Sequence, residues 1–175
     1  DIDSNPGRQH LGISGCGSIV TYKRGAPDFC SVIGRTPIKS GVHYFEFVTH
    51  RIGDELWVGL VDDISIVGPR TNLRAHRSAF TYYCGRRRNS SSSLRDGQAS
   101  LQGGGKVEQR FEPIANGDVV GLLVNADRHR GIFFKNGVMQ GDCVLPEKPL
   151  WLVCQLDDPQ DRVELRKQPV TPELE

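Results

Sequence analysis

The chain holds 175 residues, 37% hydrophobic and 25% charged, which is enough for one domain with its own core and short for two. Its formal net charge of +1 argues against nucleic-acid binding as the main task, and no run approaches the roughly 20 apolar residues of a membrane-crossing helix. Twenty glycines and ten prolines interrupt the chain too often for long helices and favour an all-β fold.

Residues 1–15 are polar and rich in Gly and Ser and read as a flexible lead-in. Ser18-Ile19-Val20-Thr21-Tyr22 is the first strand signal, β-branched and bounded by glycine. A turn at Arg24-Gly25-Ala26-Pro27 precedes a second strand, Cys30-Ser31-Val32-Ile33. In the longer run from Val42 to Arg51, alternation places Phe45, Phe47 and Thr49 on one face and Tyr44, Glu46 and Val48 on the other. From Glu55 to Asp62, Leu56, Val58 and Leu60 oppose Trp57, Gly59 and Val61. Both faces are apolar, so this strand is expected to be central and covered on both sides, and Asp118 to Asn125 reads the same way. Gly59 and Gly121 inside these strands imply close approach of backbone or of a large neighbour such as Trp57 or Phe133.

Asn136-Gly137, inside the run Ile132 to Met139, supplies the two residues of a type I′ turn. With a tight connection at 127–131, it makes 118–139 a three-stranded meander. Leu150 to Leu156 and Arg162 to Arg166 complete the strands, joined by a polar turn at 157–161, and 168–175 is expected to fray. The stretch from Asn89-Ser90-Ser91-Ser92-Ser93 to Gly103-Gly104-Gly105 is of low complexity and too polar to bury itself, so a long mobile loop is expected at about 88–105. Many short strands with frequent turn signals point to a two-sheet antiparallel β-sandwich.

No catalytic constellation emerges. Gly105-Lys106 is followed by Val107, which breaks a phosphate-binding loop, and no Gly-x-Ser-x-Gly elbow occurs. The five histidines lack metal-ligand spacing and read as structural or surface residues. Asp62-Asp63 and Asp157-Asp158 read as strand-end and turn residues. The cysteines, Cys16, Cys30, Cys84, Cys143 and Cys154, are scattered and odd in number. They imply buried or half-buried free thiols in a reducing, intracellular setting.

Four motifs in order carry a family likeness: Ser40-Gly41-Val42-His43-Tyr44-Phe45-Glu46-Phe47, Trp57-Val58-Gly59-Leu60-Val61, Asn116 to Asn125 with its Gly117-Asp118 opening, and Gly131-Ile132-Phe133-Phe134-Lys135-Asn136-Gly137. Leu150-Trp151-Leu152-Val153 adds a late core strand. Over residues 16–167 the chain resembles the SPRY domain family in its plain form, without a clear PRY segment. The resemblance implies a sandwich of the concanavalin or jelly-roll type that is non-catalytic, uses no cofactor or metal and is monomeric as a domain. It also implies recognition of a protein or peptide partner through loops at one end. Such a module would be a substrate-recruiting or scaffolding part of a larger intracellular protein, cytoplasmic or nuclear, a ubiquitin-ligase subunit being one setting.

Carried onto this sequence, the resemblance points to four loops. Lys23, Arg24 and Pro27 form the first; Pro69, Arg70 and Asn72 belong to the second. Tyr82 and Tyr83 lie near the third, and Gln155, Asp157 and Asp158 form the last. Arg and Tyr suit such a surface because they join planar contact area to directional donors. Arg24 and Arg70 are expected to meet acidic or carbonyl groups of an extended peptide beside Tyr83. The alternative is RNA binding through the Arg70–Arg110 segment, whose nine basic and two acidic residues leave −6 on the rest of the chain. Arg74, Arg77, Arg86, Arg87 and Arg88 would form that patch. Ser90, three residues after Arg87, is a candidate phosphorylation site whose modification would add roughly −1.5 to −2 charges beside the arginines.

Overall fold

The computed structural model describes residues 10–27, 29–53, 55–73, 76–85, 100–103 and 106–171. Across them run thirteen strands: β1 (Leu11–Ser14), β2 (Ile19–Tyr22), β3 (Cys30–Ile33), β4 (Val42–Arg51), β5 (Glu55–Val61), β6 (Ala79–Gly85), β7 (Ser100–Gly103), β8 (Lys106–Arg110), β9 (Val119–Asn125), β10 (Arg130–Lys135), β11 (Val138–Val144), β12 (Trp151–Leu156) and β13 (Arg162–Gln168). One sheet has the order β1-β2-β13-β4-β9-β10-β11 and the other β3-β12-β5-β6-β7-β8. Every ladder is antiparallel. No helix among the described residues is long and apolar enough to cross a membrane.

The period-2 reading of β4 and β5 decides which side chains fill the space between the sheets. Phe45 and Phe47 from β4 meet Leu56, Val58 and Leu60 from β5 there, with Tyr82, Leu122 and Phe133. The opposite faces are covered too. Tyr44, Leu123, Ile132 and Phe134 pack together outside the seven-stranded sheet, while Val61, Val67, Leu73, Ala79 and Val153 do so outside the six-stranded one. An extra Cβ on Gly59 would lie 2.2 Å from the Phe80 carbonyl oxygen, and one on Gly121 would meet the Tyr44 ring. Close approach is thus real at both glycines, but the crowding neighbours are the β6 backbone and Tyr44 rather than Trp57 and Phe133.

The 118–139 meander is present as β9, β10 and the start of β11, with Asn136 at φ 48° and Gly137 at φ 81° in its hairpin turn. Asp118 braces that turn: its carboxylate accepts from the Ala115 amide at 2.8 Å and from the Asn136 side chain at 3.0 Å. Four strands depart from the sequence reading. Residues 11–14 belong to β1 rather than to a loose lead-in, because Leu11 is buried in the core while Gly12 and Ser14 hide the alternation. β6 carries no alternation at all, since both its faces are buried. β7 occupies part of the 88–105 stretch expected to be a mobile loop, and β8 follows that stretch from Lys106; residues 86–99 and 104–105 lie outside the described residues.

Candidate functional site

The ladders sort the connections into two groups. Residues 23–27 with Phe29, 52–53, 111–118, 157–161 and the Asn136-Gly137 turn gather at one end, and 34–41, 126–129 and 145–150 at the other. Residues 62–73 leave β5 at the second end and fold back over the outer face of the six-stranded sheet. The Ser31 amide donates to the Gly68 carbonyl at 3.1 Å, the Gly68 amide to the Ser31 hydroxyl at 3.0 Å, and the Leu73 amide to the Gln155 side-chain oxygen at 2.9 Å. Ser31 and Gln155 face each other across β3 and β12, close to the first end. Buried Val67 and Leu73 close the contact apolarly. Pinned in this way, the connection brings Pro69, Arg70 and Asn72 towards the loop end.

Beneath this rim lies an aromatic stack. Phe29 meets Trp57 edge-on with ring centroids 5.9 Å apart, and Trp57 meets Tyr83 at 5.0 Å. Trp57 and Tyr83 are cross-strand partners on β5 and β6, so the ladder itself places their rings side by side. The Tyr83 hydroxyl donates to the Glu55 carboxylate, which satisfies its polar tip while the ring stays buried. Phe29 and Arg70 both adopt left-handed backbone, at φ 55° and 64°, a conformation that costs a non-glycine residue roughly 1–2 kcal/mol. Such strain persists only where the surroundings enforce it: the Phe29 amide donates to Asp157 Oδ1 at 3.1 Å, and Arg70 sits between the Gly68 and Leu73 anchors.

The last loop is organised by Asp161, which is 1% exposed. Its Oδ1 accepts from the Gly53 amide at 2.8 Å and its Oδ2 from the amides of Asp157 and Asp158 at 3.0 Å each. Burial nevertheless pushes its carboxyl up to about 6 against the pull of those donors. Gly53 admits Asp158 at a distance no side chain would allow, a Cβ there falling 2.1 Å from Asp158 Oδ1. The first loop is tied by the Tyr22 hydroxyl, which donates to the Ala26 and Pro27 carbonyls.

This architecture matches solved structures over nearly its whole length. The SPRY domain of human HERC1 superposes with a TM-score of 0.72 at 15% identity, covering 95% of this chain and 99% of that one. The fold is the SPRY fold. A second human SPRY domain gives 0.67 at 18% identity over 90% of this chain and 94% of its own, and the TRIM65 PSpry domain 0.67 at 16% over 94% and 87%. No family model and no curated protein matches the sequence.

On this SPRY fold the residues singled out from sequence divide into two sets. Lys23, Arg24, Arg70 and Asn72 are exposed, with Pro27, Pro69, Asp157 and Asp158 half-buried beside them. Neither Arg24 nor Arg70 has an ion-pair partner among the described residues. The expectation that Tyr82, Tyr83 and Gln155 belong to the surface needs correcting. Tyr82 is fully buried between the sheets, its ring 4.7 Å from that of Phe111 and its hydroxyl donating to the Glu112 carbonyl. Tyr83 is 1% exposed and forms the floor, and Gln155 spends its side-chain oxygen on the Leu73 amide. All three lie on strands whose two faces are covered, which alternation alone does not reveal. Arg77 is exposed in the turn before β6, at the end opposite Arg24. Arg74, Arg86, Arg87, Arg88 and Ser90 lie outside the described residues.

Phe29 and Asp161 escaped the sequence reading. A lone phenylalanine between a proline-containing turn and a strand is the only signal for Phe29, and Asp161 is indistinguishable in sequence from any acid in a polar turn. Among the described residues no three His, Cys, Asp or Glu side chains are grouped to hold a metal. Cys16 is exposed and the other four cysteines are buried; burial holds the Cys84 and Cys154 thiols well above their usual range, which keeps them protonated and unreactive.

Proposed function

We propose that this chain is a non-catalytic protein-interaction module that binds an extended segment of a partner protein across the 23–29, 69–72 and 157–161 loops. The observation that carries this reading is the pairing of Arg24 and Arg70, exposed and without an ion-pair partner among the described residues, with a rigid aromatic floor. The 69–72 loop is tied to the sheets by buried amide bonds at Gly68 and Leu73, the 23–29 loop by the Tyr22 hydroxyl and Asp157, and the 157–161 loop by Asp161, so little conformational entropy is lost when a partner docks. Arg70, held in left-handed backbone between two fixed points, is pre-oriented. The two guanidinium groups offer forked donors to carboxylates or carbonyls of the partner, while Pro27, Pro69 and the edge of Phe29 offer apolar contact. Recruitment of a substrate or scaffolding within a larger intracellular protein is the cellular use that suits such a module.

The test is selection of binding peptides from a displayed library against the full 175-residue chain, followed by calorimetric titration of the best binder. Arg24→Ala and Arg70→Ala should each weaken it about tenfold, as truncation of an interface anchor does, with amide NMR shifts confined to the three loops. Unchanged affinity in both variants, or shifts clustered at the opposite end, overturns the assignment.

A further inference from the structure

The end away from the proposed peptide surface carries a second site of different chemistry. There the two sheets part, and a cleft of about 520 Å³ opens between them, within the roughly 300–1,000 Å³ of small-ligand pockets. Its walls are set by the backbone. The Gly34 amide donates to the Leu152 carbonyl at 2.8 Å, and Ile38 and Leu150 exchange amide bonds at 2.7 and 3.0 Å. Between those two anchors residues 35–37 bow across the mouth. The floor is apolar, from Phe45 and Leu165 on one sheet and Leu152 on the other, while Arg35, Lys39, His43 and Lys167 stand around the rim with Ser18, Thr36 and Ser40.

Among the described residues no carboxylate lines this cleft. Lys39 and Lys167 are exposed and have no ion-pair partner among the described residues. The His43 ring lies nearly parallel to that of Phe45, at 18° and 6.1 Å, and its Nε2 donates to the Ser40 carbonyl at 2.8 Å, so a flat aromatic wall is fixed beside the lysines. A concave site with one sign of charge and low-dielectric walls concentrates the opposite charge. A phosphate head would meet several cationic donors at once, and an attached ring would cover apolar surface that inorganic phosphate leaves wet.

We propose that this cleft binds an aromatic phosphate monoester, the phosphate held by Lys39 and Lys167 and the ring lying against His43, Phe45 and Leu165. The ligand is either a free small molecule or a phosphotyrosine side chain, whose chemistry is the same.

Phenyl phosphate, inorganic phosphate and phenol are titrated separately into the full chain, followed by calorimetry and amide NMR. Phenyl phosphate should saturate at least tenfold more tightly than either of the others, with shifts concentrated at 34–45 and 165–167. The double variant Lys39→Ala with Lys167→Ala should lose tenfold or more while keeping the wild-type melting temperature; Lys39→Arg with Lys167→Arg should retain binding. Arg24→Ala and Arg70→Ala should leave it unchanged, which separates this proposal from the peptide surface. A phosphotyrosine peptide binding more tightly than phenyl phosphate identifies a polypeptide source, and equal affinity a small-molecule one. Inorganic phosphate binding as tightly as phenyl phosphate, shifts elsewhere, or indifference to the lysine substitutions overturns the proposal.

Discussion

At the loop end of the sandwich the connections close over packed side chains: Phe29 on Trp57 on Tyr83 along the outer face of the six-stranded sheet, with Asp161 gathering three amides in the last loop. At the far end residues 35–37 span between the anchors at Gly34 and Ile38 and leave space beneath them. The two ends share the same strands, so the contrast comes from what the loops bury. A loop whose amides and rings are spent on the sheets becomes a rigid surface with side chains projecting from it. A loop anchored only at its ends becomes the wall of a cleft.

The contrast is tested hardest by removing the floor of the loop end. Trp57→Ala should cost about 3–5 kcal/mol, the range for deleting a buried large aromatic, with a matching drop in the chemical-denaturation midpoint. A cost near zero would mean that the stack does not support the loops.

Asp161→Ala leaves the Gly53, Asp157 and Asp158 amides without their acceptor, and about 2–3 kcal/mol of destabilisation is expected from hydrogen bonds to a charged group. Its titration should carry an unusual sign. The folded carboxyl takes up a proton near pH 6, whereas in the unfolded chain it does so near the ordinary 3.8. Between those values the folded state binds the extra proton, so this group's contribution to stability rises as pH falls from about 6 to about 4 and is flat above. The Asp161 carboxyl carbon followed by NMR, with Asp161→Asn as the control lacking the transition, checks the direction.

Smaller effects sharpen the difference between support and surface. Thr81 is fully buried on the outer face of β6, and its hydroxyl has no hydrogen-bond partner among the described residues. Thr81→Val should therefore stabilise the fold by about 1 kcal/mol, read as a raised melting temperature. Arg70→Gly should gain roughly 0.5–1 kcal/mol by relieving left-handed backbone at φ 64° while weakening the selected peptide. Stability and binding moving in opposite directions is the expected mark of a residue held for presentation. At the far end, Lys39→Ala should alter stability by less than about 0.5 kcal/mol, as surface changes do.

Much of the sandwich was legible in the residue order. Alternation in β4 and the two apolar faces of β5 and β9 predict central strands covered on both sides, and Asn136-Gly137 marks its hairpin, because period and turn chemistry are local properties of the chain. β1 and β6 were not legible, since glycine and serine mask the alternation of one and complete burial removes it from the other.

The site divides along the same line. Arg24, Arg70 and their loops were named from sequence, but which side chains project was decided by the tertiary structure. Tyr82, Tyr83 and Gln155 are buried because β6 and β12 are covered on both faces, and Phe29 and Asp161 acquire their roles from distant partners, Phe29 from Trp57 and Asp157 and Asp161 from Gly53. Sequence by itself determines where strands and turns can form; burial depends on what the fold brings against each face from distant segments, and only packing settles that.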